Sequence, residues 1–223
     1  MQKGEAVSRI LLVDDHPIVR QGIVQLVEQA EDLTVADEAE NSPEALHKLE
    51  RALFDLVVVD VSLESSNGIE LVKAIRARGI RIPVLVLSMH DEDLYAQRAL
   101  RAGANGYIMK AEKSATLLQA MRTVIHGDTY VSAAIAEKIE QARLNHSRKR
   151  GAAGSVDTLS DRELEIFESI GHGMSVKEVA LKLHISAKTV ETHRAHIRDK
   201  LNIENSNDLV RSAALWVAQE SSQ

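Results

Sequence analysis

The stretch FDLVVVDVSLESSNG, residues 54–68, decides how the rest of the chain reads. Leu56 to Val59 are four apolar, mostly β-branched residues in a row, which suits a strand buried on both faces of a parallel sheet better than a half-exposed one. Asp60 follows at once, so that strand delivers a carboxylate at its C-terminal end. In open α/β sheets this is the edge where ligands are held. A lone Asp there more often just ends a strand and opens a turn, and it is the company Asp60 keeps that changes the reading.

Other short apolar runs also end in polar residues. The run from Arg9 to Val13 stops at Asp14 and Asp15. Pro17 then suits the first position of a helix, where its missing N–H has no intrahelical partner. That helix is expected to reach about Ala30, with Ile18, Ile23, Leu26 and Val27 on one side. A strand near Leu33 to Ala36 precedes a helix capped by Ser42, with Pro43 at its first position, running to about Leu53. After the Asp60 strand, Asn67 and Gly68 turn the chain into a helix carrying Ile69, Leu71, Val72 and Ile75. Pro83 to Leu87 form a fourth strand that ends at Ser88, and a helix from about Asp91 to Ala102 follows. The fifth strand, Gly106 to Met109, delivers Lys110 before a helix from Ser114 to about His126. Five strand-helix units imply right-handed crossovers and a doubly wound parallel sheet covered on both faces.

The chemical consequence is that Asp14, Asp15, Asp60, Ser88 and Lys110 emerge together on one sheet edge. Three carboxylates brought close repel one another, and a hard dication relieves them. Mg²⁺ fits, because it accepts one or two carboxylates, keeps waters and welcomes phosphate oxygens. The lysine adds a point charge for an anion, and the serine hydroxyl donates to one of its oxygens. Such an edge is equipped for phosphoryl transfer onto a carboxylate.

In this order along five strand-helix units, Asp14/Asp15, Asp60, Ser88, Tyr107 and Lys110 resemble the receiver domain of two-component signalling. The resemblance implies a flavodoxin-like strand order 2-1-3-4-5 and Asp60 as phosphoacceptor. It further implies direct Mg²⁺ binding by Asp15, Asp60 and the backbone carbonyl of Ser62, with Asp14 acting largely through water. Lys110 would pair with the phosphoryl group, Ser88 would move toward it, and Tyr107 would swing inward as Ser88 moves. One position departs from the pattern: receivers usually carry proline four residues after the phosphoacceptor, and here it is Glu64. Without the ring, the loop from Val61 to Asn67 is expected to have a freer backbone and a further negative charge near an anion site.

After residue 128 the pattern changes. Residues 129–143 are helix-compatible, with Ile135 and Ile139 four apart, and could extend the first domain or pack beside it. Asn145 to Asp157 combine a basic run, Arg148 to Arg150, with Gly, Ala and Ser, and read as a flexible tether rather than a phosphate contact. The expected limits are therefore a domain at 7–128, a helical and flexible linker at 129–157, and a second domain at 158–220.

The second domain is helical. Ser160 with Glu163 forms a capping box ahead of Leu164, Ile166, Phe167 and Ile170, and Gly171 and Gly173 close that helix. Ser175 with Glu178 opens a short helix carrying Val179, Ala180 and Leu183. Ser186 then caps a third helix through Leu201. Two helices so closely linked, the second long and polar on one side, match a helix-turn-helix. Val190, Ile197 and Leu201 share its buried face with Arg194 beside them, leaving Lys188, Thr189, Glu191, Thr192, Ala195 and Arg198 outward, where polar side chains reach base edges and phosphates.

The run from Leu159 to Ile203 is similar to the LuxR-type four-helix output domain, and with the receiver the whole chain resembles a NarL/FixJ-type response regulator. By position, Val176 to Ala195 is then the helix-turn-helix. Lys188, Thr189, Glu191, Thr192 and Arg194 are candidate DNA contacts, with Lys200 nearer the phosphates. A last helix from about Ser206 to Ala218, with Leu209, Val210, Ala213 and Val217, corresponds to the family's dimerisation helix, and Trp216 there is interface or core. The implied partners are promoter DNA, a sensor histidine kinase, a second copy on activation and the transcription machinery.

Composition narrows the alternatives. With 223 residues, 44% hydrophobic and 27% charged, the chain has room for two globular domains. No apolar run approaches the ~20 residues that span a bilayer. The amino terminus lacks a secretory signal, and there is no cysteine, which together fit the cytoplasm. A net charge of −6 confines nucleic-acid contact to a local patch, and 3% aromatics disfavours base-stacking single-strand binders. Two other readings stay open: a DNA-binding scaffold whose receiver is never phosphorylated, and a Mg²⁺-dependent phosphatase. The second lacks the Asp-x-Asp pattern of aspartyl phosphatases in DDHP.

Overall fold

A computed structural model of the chain describes residues 7–63, 66–89, 92–144 and 156–220. The chain falls into two compact units, residues 1–146 and 147–223.

The first unit runs β1 (Ser8–Val13), α1 (Pro17–Val27), β2 (Leu33–Ala39), α2 (Ser42–Arg51), β3 (Leu56–Asp60), β4 (Ser62–Leu63), β5 (Ser66–Asn67), α3 (Gly68–Ala77), β6 (Val84–Ser88), α4 (Glu92–Ala102), β7 (Gly106–Met109), α5 (Ser114–Ile125) and α6 (Ala133–Leu144). Five strands make one sheet in the order β2-β1-β3-β6-β7, every pair parallel. Counting only these five, the order is the expected 2-1-3-4-5.

Every residue of β3 and β6 is buried, as their unbroken apolar runs require when helices cover both faces. Alternate side chains divide between two cores. Ile10, Leu12, Leu56, Val58, Leu85, Leu87 and Ile108 pack with Ile23, Val27, Met121 and Val124 of α1 and α5. Their neighbours in sequence, Leu11, Val57, Val59, Val84, Val86 and Tyr107, are equally buried, as are Ile69, Val72, Tyr95 and Ala99 of α3 and α4.

Several local expectations change. Ile18 is 85% exposed. At 3.6 residues per turn it lies about half a turn around from Val27, and Val19 and Val24 pack against the core instead. The cap of α2 is Asn41, not Ser42: Asn41 has extended backbone angles and its side chain accepts the Glu44 N–H at 3.0 Å. The Ser42 hydroxyl lies 2.9 Å from that of Ser66. β2 extends to Ala39, three residues beyond the expected Ala36. Between β3 and α3, Ser62–Leu63 and Ser66–Asn67 pair antiparallel, where the sequence reading expected only a loop. Glu64 lies outside the described residues, as do 145–155 of the expected tether, including the basic run.

The second unit contains a 3₁₀ turn (Val156–Thr158), α7 (Asp161–Gly171), α8 (Val176–Lys182), α9 (Ala187–Leu201) and α10 (Ser206–Glu220). Both expected capping boxes are present, Ser160 with Glu163 and Ser175 with Glu178. Leu164, Ile166, Phe167, Ile170, Val179, Leu183, Val190, Ile197, Leu209 and Ala213 form its core. Trp216 is half-buried, its ring 5.6 Å from that of Phe167.

Candidate functional site

Three strand ends build the site in the first unit. Asp14 follows β1 and is fully buried, Asp60 closes β3 at 2% exposure, and Lys110 follows β7. The parallel register sets them side by side: Val13 pairs with Val59, Asp60 with Leu87, and Ser88 with Met109. Lys110 Nζ lies 2.7 Å from Asp14 Oδ2 and 2.7 Å from Asp60 Oδ2. One ammonium thus bridges two buried carboxylates, and Asp15, its side chain 6% exposed, adds a third negative charge beside them.

Electrostatics follow first from this burial. Burial raises the Asp60 pKa to about 6, Asp14 adds to the rise, and Lys110 with the Ser62 N–H opposes it. Burial alone would lower the Lys110 pKa, but the two carboxylates together outweigh it and hold the ammonium above its ordinary range. Asp14 is fixed from behind: its Oδ1 accepts the His16 N–H at 2.8 Å and its carbonyl accepts Arg20 at 2.8 Å.

A cation fits here. One oxygen each of Asp14, Asp15 and Asp60 and one ring nitrogen of His16 lie within 4.8 Å of one another. Asp15 Oδ1 is shielded from solvent with no hydrogen-bond partner among the described residues; His16 Nδ1 is 2.7 Å away but not aligned for a hydrogen bond. A buried carboxylate oxygen without a hydrogen bond is costly, and a dication is one ligand that would satisfy it.

The remaining expected residues are close by in the fold. Ser88 is fully buried at the end of β6, and its carbonyl accepts the Lys110 N–H at 2.7 Å. Tyr107 is fully buried on β7, its N–H donating to the Tyr130 carbonyl at 2.8 Å. Ser62 starts the short ribbon, and Gly68 holds that ribbon's end against the site: its N–H donates to the Val61 carbonyl at 2.7 Å, and an added Cβ would overlap the Asp60 carbonyl. The sequence reading passed over Arg20, Gly68 as a packing position, and His16, although a histidine beside paired carboxylates in DDHP was a legible ligand signal.

In the second unit α8 and α9 meet through Leu183 and His184, the latter at φ 50°. Ser186 caps α9, accepting the Thr189 N–H at 3.0 Å. Lys188, Glu191 and Thr192 are exposed and Thr189 partly so. Glu191 and Arg194 pair at 3.0 Å, with the Arg194 side chain only 15% exposed. Lys200 Nζ is 2.6 Å from Glu163 Oε2. The six candidates therefore divide: Lys188, Thr189 and Thr192 stand near the start of α9 outside any ion pair, the two threonine hydroxyls bonded locally to Ser186 and the Lys188 carbonyl, and three are tied into ion pairs.

Comparisons with known proteins agree with both halves. Residues 10–122 match the family model described as the response regulator receiver domain, and residues 157–213 match that of bacterial regulatory proteins of the luxR family. The oxygen regulatory protein NreC of Staphylococcus epidermidis is 34% identical over 92% of this chain and 96% of its own. The nitrate/nitrite response regulator protein NarL of Escherichia coli is 32% identical over 96% of each. RcsB of Salmonella enterica serovar Typhimurium, solved bound to a promoter in the presence of the phosphomimetic BeF3−, superposes with a TM-score of 0.58 at 25% identity, over 92% of this chain and 98% of that one. With a receiver fold carrying its carboxylates and lysine on one edge and a LuxR-type helix-turn-helix behind it, the chain belongs to the NarL/FixJ-type response regulators of two-component systems.

Proposed function

We propose that the chain is a promoter-binding transcriptional regulator switched by phosphorylation of Asp60. The observation that carries this is Lys110 Nζ set 2.7 Å from both Asp14 and Asp60 at a buried strand edge. In the transfer, an Asp60 carboxylate oxygen attacks the phosphorus of a phosphohistidine on a sensor kinase. The P–N bond breaks and the imidazole leaves with the electron pair, taking up a proton. Lys110 would follow the phosphoryl oxygens, and the Ser88 hydroxyl would donate to one of them. Asp14, Asp15, Asp60 and the Ser62 carbonyl would hold Mg²⁺, which supplies charge neutralisation for the phosphoryl oxygens when bound. Tyr107, buried on the strand that pairs with that of Ser88, would transmit the change toward the α4, β7 and α5 side.

The output is DNA binding by α8 and α9 of a domain spanning about residues 158–220, behind a receiver at about 7–128. Lys188, Thr189 and Thr192 are the contacts best placed to reach a major groove, with Glu191, Arg194 and Lys200 joining once their internal pairs open. Phosphorylation promotes dimerisation, with α10 as the interface in the DNA-binding domain, and the dimer engages the transcription machinery in the cytoplasm. Support comes from the RcsB structure described above, in which a relative stands on promoter DNA with a phosphomimetic.

The test is incubation with Mg²⁺ and acetyl phosphate followed by intact mass. One added phosphoryl group on the wild type and none on Asp60→Asn is expected. Equal phosphorylation of the variant, or none on either protein, would refute the assignment. Sedimentation of the same samples should show dimer forming only in the phosphorylated wild type.

A further inference from the structure

The helical unit carries a second cluster of ligating side chains, unrelated to phosphoryl chemistry. Glu163 is the third residue of α7, while His193 and His196 are three apart on α9 and so share one face of it. One carboxylate oxygen and one nitrogen from each ring lie within 4.8 Å of one another. Glu163 is 4% exposed. His193 Nδ1 is buried and has no hydrogen-bond partner among the described residues. The two rings stand edge to face, 6.4 Å apart at 88°, rather than stacked.

We propose that Glu163, His193 and His196 form a binding site for a divalent transition metal of the zinc class, tying the recognition helix α9 to the start of α7. The donor set sorts the metal. Two imidazoles and one carboxylate suit Zn²⁺ and its neighbours, whereas the all-carboxylate end of the receiver cluster suits hard, oxygen-seeking ions. His₂Glu with a fourth position for water is a recurrent zinc arrangement. Zinc–ligand bonds of about 2.0–2.2 Å place donor atoms roughly 3.4 Å apart. A spread of at most 4.8 Å lies above that, so the donors would draw together on binding, and the exposed His196 ring has room to turn.

Glu163 retains a free valence for this. Its hydrogen bonds from the Ser160 N–H at 2.7 Å and Lys200 Nζ at 2.6 Å both fall on Oε2. The Lys200 ammonium opposes a second cation, so occupancy requires it to swing away from Glu163. The site is therefore weaker than a closed structural zinc centre.

The experiment uses the full chain, with Zn²⁺ titrated calorimetrically under excess Mg²⁺, and Co²⁺ as a spectroscopic probe. One equivalent of Zn²⁺ should bind in wild type and in Asp15→Asn/Asp60→Asn alike, with Co²⁺ giving the strong visible bands of a four-coordinate site. His196→Gln, at an exposed position, should fold normally by circular dichroism and weaken Zn²⁺ binding at least roughly tenfold, since even outer-shell changes cost 10–100-fold. Glu163→Gln should do the same. Zinc binding unchanged in both variants, zinc fully displaced by Mg²⁺, or no binding to the wild type would each overturn the proposal.

Discussion

Replacing Asp60 by Asn removes a charge that the fold holds at a cost, and the cost has a calculable pH dependence. The Asp60 pKa rises from 3.8 to about 6 on folding, chiefly through burial. A carboxyl whose folded pKa lies above its unfolded one binds its proton more tightly when folded. Its ionisation therefore destabilises the fold: nothing is lost below the unfolded value, and the full penalty applies above the folded one. At about 1.4 kcal/mol per unit, a shift of this size is about 3 kcal/mol. Without added metal, Asp60→Asn should be more stable than wild type by about 1.6 kcal/mol near pH 5 and about 3 kcal/mol near pH 7.5. Lys110 retains Asp14 as a partner in the variant, so no new unpaired charge offsets the gain. Urea titration in EDTA, followed by circular dichroism, reads both units together, and the receiver transition is the part expected to shift. The single tryptophan, Trp216, reports the helical unit separately by fluorescence and should not respond. Adding Mg²⁺ should narrow or reverse the difference, because the cation favours the ionised carboxylate. A difference that stays constant or falls between these two pH values would refute the electrostatic account of the site.

Two other predictions rest on the receiver site and one on the helical unit. Lys110→Gln leaves Asp14 and Asp60 buried without their shared cation, and should cost about 3–5 kcal/mol at neutral pH, recovered in part on acidification, by the same urea titration. Gly68→Ala forces a methyl into the Asp60 carbonyl; it should cost about 1–3 kcal/mol as overpacking and slow phosphorylation by acetyl phosphate, read by intact mass. Ser175→Ala removes one capping box and should lower the stability of the helical unit by about 1 kcal/mol on the Trp216 signal, leaving the receiver transition unmoved.

The positions of the site were legible because a parallel sheet collects the C-terminal ends of its strands on one edge. An apolar run ending in Asp or Lys therefore names its own destination, and Asp14, Asp60, Ser88 and Lys110 were placed by that rule alone. What a linear pattern does not carry is partnership. Nothing in the spacing told that Lys110 would divide itself between Asp14 and Asp60, or that Arg20 would clamp the Asp14 carbonyl from the next helix. Ile18 shows the same limit in the apolar pattern. It is hydrophobic and close to Ile23 in sequence, but helix rotation turns it outward. Asn41 and Ser42 are both good caps, and only backbone conformation chooses between adjacent candidates. The helix-turn-helix read more cleanly because serine caps and their partner glutamates mark its boundaries residue by residue.

Charge bookkeeping within the helical unit bears on the proposed dimerisation. From Gly151 onward there are eight Lys/Arg against eleven Asp/Glu. Four of the eight are engaged by carboxylates of the same unit: Arg162 with Glu165, Arg194 with Glu191, Lys200 with Glu163 and Arg211 with Asp208. Lys177, Lys182, Lys188 and Arg198 make no ion pair among the described residues. If all four met phosphates, one copy would release about four counterions, giving a slope of about −3.6 in log affinity against log salt. That supports only weak binding at physiological ionic strength. Two copies joined on adjacent half-sites double the slope, and the second contact forms at the high effective concentration set by the first. If phosphorylation drives dimerisation as proposed, the receiver needs no direct contact with the recognition helix to control occupancy of DNA. On that proposal, the scarcity of uncommitted cations in the helical unit makes control by assembly sufficient.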